Sequence, residues 1–141
     1  MILFVGSYLK SQQKAVEKLE KILKRELTAC VIVDDSDMAA RAAASTANKA
    51  VVIECDFSKE TEIQKALLPY KNRFLAVTCR AERNIPLLKK VVPHVPYLNT
   101  PTEKSLDWTT DKIKMRQLLR GYDRSISVSY THLTLPTNRE V

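Results

Sequence analysis

Short apolar, β-branched runs alternate along this chain with longer segments of helical character, and that alternation restricts the fold more than any other feature. The runs are Ile2-Leu3-Phe4-Val5, Cys30-Val31-Ile32-Val33, Val51-Val52-Ile53, Phe74-Leu75-Ala76-Val77 and the very short Tyr97-Leu98. Continuous apolar runs of this kind suit strands whose sheet is covered on both faces. Between them, residues 11–27 carry a helical stripe of Ala15, Val16, Leu19, Ile22 and Leu23, and residues 38–47 are alanine-rich. Ser58 is placed to cap a helix that stops before Pro69, and residues 85–92 form a short helix ended by Pro93. The order β-α-β-α-β-α-β-α-β predicts an α/β fold: a Rossmann-like parallel sheet of about five strands with helices on both faces, followed by a short helical extension.

The 141 residues suffice for one domain with a real core. The formal charge is +7, with a denser basic group at Lys10, Lys14, Lys18, Lys21, Lys24 and Arg25. On a helix these fall mostly outward, and no aromatic or glycine interleaving accompanies them, so they read as a solvated face and no nucleic-acid partner is expected. Cys30, Cys55 and Cys79 lack a C-x-x-C spacing and lie in apolar surroundings, which predicts reduced, buried thiols and a cytoplasmic protein. The apolar start at Met1 is too short for a signal peptide or a membrane span, so no membrane partner is expected.

Two glycines, Gly6 and Gly121, leave no room for a G-x-G-x-x-G or P-loop cradle after the first strand. His94 has no companion ligands, so no metal site is predicted from these residues. In open parallel sheets ligands collect at the carboxyl ends of the strands. There the sequence places residues 6–8, Asp34-Asp35, Asp56 and Cys79-Arg80-Ala81-Glu82. Arg80 can hold a carboxylate or phosphate through its forked donors, and Glu82 an amine or hydroxyl; both are candidate substrate-binding residues.

After residue 99 the character changes. Thr100-Pro101-Thr102-Glu103 is a capping box with proline at the first helical position, and Thr110 or Asp111 starts a further helix that Gly121 ends. Thr110, Asp111, Lys112, Met115 and Arg116 resemble the T-x-D-K-x-x-M-R/K junction into the ATP-binding domain of ATP-grasp ligases such as biotin carboxylase and D-alanine ligase. The five-run unit before it resembles the pre-ATP-grasp domain of the same family in length and order. Residues 128–141 resemble a translated sequencing-adapter tail and are set aside.

The resemblance divides the chain into a pre-ATP-grasp domain at 1–99, the start of an ATP-grasp domain at 100–127 and a non-native or disordered tail at 128–141. It implies a longer parent that couples ATP hydrolysis to carboxylate activation through an acyl-phosphate, with a small-molecule substrate. It makes Lys112 an ATP-binding residue and implies ATP and Mg²⁺ as the parent's cofactors. The other phosphate, adenine and Mg²⁺ contacts of the family lie further along, so this fragment is expected to be inactive and to bind neither tightly. The alternative is a stand-alone Rossmann-like binding or regulatory module without catalysis, with Asp34, Asp35 and Asp56 at strand ends as its acidic residues.

Overall fold

The second strand is the most deeply covered part of the protein: Cys30, Val31, Ile32 and Val33 are all 0% exposed. The computed structural model describes residues 1–121. Four parallel strands, β1 (Ile2–Val5), β2 (Ala29–Asp34), β3 (Ala50–Cys55) and β4 (Ala76–Thr78), lie in the order β3-β2-β1-β4. Helices α1 (Lys10–Leu23), α2 (Met38–Ser45), α3 (Glu60–Leu67) and α4 (Ile85–Val91) connect or follow them. The chain divides into two compact units, Met1–Glu103 and a second that begins at Lys104. The second contains most of α5 (Glu103–Thr110) and all of α6 (Lys112–Leu119).

Strand periodicity sorts the core into two layers. Ile2, Phe4, Ala29, Val31 and Val33 face one way and pack with Val16 of α1 and with Ala40 and Ala44 of α2. Leu3, Val5, Cys30 and Ile32 alternate with them and face the other way, where α3 lies on β3 and α4 on β1. Ile63, Leu67, Leu88 and Val91 supply the buried side chains of those two helices. Each fully buried aliphatic side chain of β2 contributes on the order of 1.5–3 kcal/mol.

The sheet has four strands among the described residues, one fewer than expected. Tyr97 and Leu98 form a turn: the Val95 N–H donates to Val92 O at 3.2 Å and the Leu98 N–H to Val95 O at 3.0 Å. These local bonds curl the backbone, and Pro93 and Pro96 remove two donors that a ladder would need.

Other boundaries moved for local reasons. α1 stops at Leu23 because Lys24 takes a left-handed conformation (φ 52°) and returns its N–H to Glu20 O. Ile22 is therefore 75% exposed and Leu23 46%, and Ala15 also points outward, so only Val16 and Leu19 of the expected stripe face the core. Ser58 does not cap α3; its hydroxyl donates to Asp56 Oδ1, and the helix begins at Glu60. Pro69 and Pro93 sit near the starts of 3₁₀ turns (Leu68–Tyr70 and Val92–His94) instead of marking abrupt stops, because proline is tolerated in a first helical turn. α5 starts at Glu103, past Pro101. Among the described residues no helix is long and apolar enough to cross a membrane. The expectation for residues 128–141 lies outside the described residues.

Candidate functional site

The chain steps from β1 to β2 to β3 in one direction and then returns past β1 to form β4. β1 and β4 are parallel neighbours whose onward connections diverge, the place where open parallel sheets collect ligands. Immediately after β1, Gly6 has φ 81° and donates its N–H to Ile32 O at 2.8 Å. A Cβ here would lie 2.5 Å from Asn84 Cγ, so glycine is required both by the backbone and by the close approach of that amide.

Asn84 ends the 3₁₀ turn Glu82–Asn84 that follows β4, and only 5% of it is exposed. Its Nδ2 donates to Ser7 Oγ at 3.2 Å. Gln12, in the first turn of α1, accepts from the Leu9 N–H at 2.7 Å and directs Nε2 to Ser7 O at 3.4 Å. Ser7, Gln12 and Asn84 are thus buried polar residues that tie the loop after β1 to the turn after β4. Buried polar groups need such partners, since leaving one unmade costs about 1–3 kcal/mol.

Arg80 lies two residues past the end of β4. It is exposed, and its Nη1 donates to Ser11 Oγ near the start of α1. The remaining guanidinium donors keep the fork geometry that suits a carboxylate or phosphate. Glu82 is exposed two residues later, and no ion pair among the described residues joins it to Arg80.

The other half of the same sheet end is acidic. Carboxylate oxygens of Asp34, Asp35 and Asp56, after β2 and β3, lie within 4.8 Å of one another. Asp34 accepts from the Ser36 N–H at 3.2 Å. Asp56 accepts from the Ser58 N–H at 2.9 Å and meets Lys59 at 3.3 Å. The Ser58 hydroxyl and N–H hold the Asp56 carboxyl below its usual value. Burial, and then these carboxylates, push the neighbouring Cys55 thiol up to about 11, and burial pushes Cys30 to about 12. All three cysteines are free, with Cys30 and Cys55 buried and Cys79 half-buried.

In the second unit, Asp111 caps α6: its Oδ1 accepts from Ile113 N–H at 3.1 Å and Lys114 N–H at 3.0 Å. The Lys114 N–H is the leading reason its carboxyl sits below the usual range. Lys114 also pairs with Asp111 at 3.5 Å, whereas Lys112, the first helical residue, is exposed. His94 is partly buried, with Nε2 3.9 Å from Glu60, as befits a packing residue.

Sequence reasoning singled out Arg80, Glu82 and Lys112 and the segment 6–8 that holds Ser7, and passed over Gln12 and Asn84. A signal for Gln12 was present, since a glutamine three residues past a helix start can return to the cap N–H. Asn84 gave none, because its role depends on a partner far away in sequence. No protein-family model, no curated protein and no solved structure matches the chain.

Proposed function

We propose that this chain is the front part of an ATP-grasp ligase, in which a Rossmann-like α/β unit forms one wall of a carboxylate-substrate site and Lys112 approaches the ATP phosphates. The observation that carries the reading is Arg80 after β4, at the sheet's β1/β4 switch point, braced by Ser11, with its other donors open to an anion. Glu82 is the candidate for the amine of the incoming nucleophile. In such a reaction the γ-phosphoryl group passes from ATP to the substrate carboxylate, and the nucleophile then displaces phosphate from the acyl-phosphate. Arg80 orients the carboxylate; Lys112, presented by a capped helix, offsets phosphate charge.

Mg²⁺ would supply charge neutralisation on the transferring phosphates. The described residues do not fit that role: Asp34 and Asp56 already accept bonds from their own loops, and Asp56 is paired with Lys59.

The test compares neighbours in the longer parent. Lys112→Ala should lower kcat/KM for ATP about tenfold to over a hundredfold, the loss of one charge-assisted contact. Lys114→Ala should change it little, because Lys114 serves the cap. Equal, negligible effects would defeat the assignment of Lys112. The chain as given should show no ATP turnover with Mg²⁺ and at best weak, salt-sensitive ATP binding by calorimetry. Micromolar affinity or turnover would count against the fragment reading. A stand-alone binding module is the second reading, favoured because Gly6, Ser7, Ser11, Gln12, Arg80 and Asn84 all belong to the unit Met1–Glu103.

A further inference from the structure

A cleft of about 270 Å³ lies on the α1/α2 face of the sheet, between α1 and the turn that leads into β3. Arg80 does not line it: its floor is Val16, Leu27 and Ala29, so it reaches the beginning of β2, whereas Arg80 follows the end of β4. All three floor residues are buried and apolar.

Its walls carry charges of both signs. α1 contributes Glu17 and Glu20; the turn contributes Lys49 and Asn48. Glu20 is fixed in place, since its Oε1 accepts the Leu27 N–H at 2.8 Å, and Glu17 Oε1 accepts from Gln13 at 3.4 Å. Each carboxylate retains a second oxygen as an acceptor. Lys49 has φ 58°, so the turn adopts a defined left-handed conformation at the residue that brings the ammonium. Tyr8 closes the inner end; burial first, then Glu17 and Glu20, raise its phenol above the ordinary value, so it stays a donor. Ligand pockets for drug-sized molecules span about 300–1,000 Å³, so this cleft suits one small molecule and is too small for a nucleotide.

We propose that this cleft binds a free amino acid with a short apolar side chain. The ammonium meets Glu17 and Glu20, the carboxylate meets Lys49 and Asn48, and the side chain lies on Val16 and Leu27. A molecule with one charge satisfies only one wall and leaves the other uncompensated, which is the source of selectivity.

The experiment is an amide NMR titration of the full chain with L-valine, propylamine and isobutyrate as separate probes. Saturable shifts with L-valine at Ala29, Asn48 and Lys49, absent with the two singly charged probes at the same concentrations, are expected. Glu17→Gln should weaken L-valine binding about tenfold or more, the loss of a charge-assisted contact. Lys49→Asn, which tolerates the left-handed backbone, should do the same. Both positions are exposed, so the variant spectra should retain the native dispersion. No saturable shift with millimolar L-valine overturns the proposal. So does propylamine binding as tightly as L-valine, or shifts confined to the residues around Arg80.

Discussion

The carboxyl end of the sheet has two halves of opposite design. Around β1 and β4, the side chains of Ser7, Gln12 and Asn84 are buried, Asn84 bonds to Ser7 across 77 residues of sequence, and Arg80 bonds to Ser11. Around β2 and β3, the three carboxylates are more open to solvent and Asp34 and Asp56 are bound within their own loops. The difference follows from topology. After β2 and β3, Asp34 and Asp56 bond within their own loops and the Asp35 N–H donates to Cys55 O at 3.0 Å; where the chain returns past β1 to β4, two loops far apart in sequence are joined by the Ser7 and Asn84 side chains. The first half should therefore respond strongly to substitution and the second weakly.

The largest effect is expected from Gly6→Ala. The added methyl collides with Asn84 and strains a φ of 81°, which should cost about 2–5 kcal/mol in chemical denaturation. A loss below about 1 kcal/mol would mean that the two loops separate easily. Asn84→Ala should cost about 1–3 kcal/mol, because Ser7 loses a buried partner. It also removes the obstacle at Gly6, so the double variant should lose less than the sum of the singles; strict additivity would break the proposed interlock.

Stability at high pH gives the next contrast. Cys30 and Cys55 hold their protons more tightly folded than unfolded. Their contribution is complete below the unfolded value of 9.0 and is lost as pH rises toward about 11 and about 12. Alkaline denaturation should flatten in Cys55→Ala, and iodoacetamide should label native Cys55 slowly at pH 8. Rapid labelling would show that the acidic half opens. In that half, Asp35→Asn should change stability by no more than about 0.5 kcal/mol, since it relieves crowding among carboxylates.

The smallest effect concerns Asp111. Its carboxyl is depressed, so its support of α6 is present above the unfolded value of 3.8 and disappears as pH falls through the lower folded value. Helical content lost on acidification should be smaller in Asp111→Asn.

β1 and β2 were legible because both faces are buried, as Val31, Ile32 and Val33 attest, whereas the run at residues 74–77 marks a strand that begins only at Ala76 and is largely exposed. Tyr97-Leu98 was too short to distinguish from a turn, and its local hydrogen bonds prevailed over its β propensity. The stripe on α1 failed at Ile22 and Leu23 because periodicity does not reveal where a left-handed cap ends the helix. At the site, Arg80 was visible from its place after a strand, while the Gly6–Asn84 approach required the tertiary structure.

Trp108 is the single tryptophan, and it lies in α5 beneath the Lys104 ammonium, 5.1 Å from its ring centre. The sheet therefore contains no indole, and the intrinsic emission excited at long wavelength originates outside it. A melting curve followed by that emission reports the segment beginning at Lys104, while far-ultraviolet circular dichroism sums over both units. Divergent midpoints from the two signals would reveal that the units unfold separately, with no label or added probe.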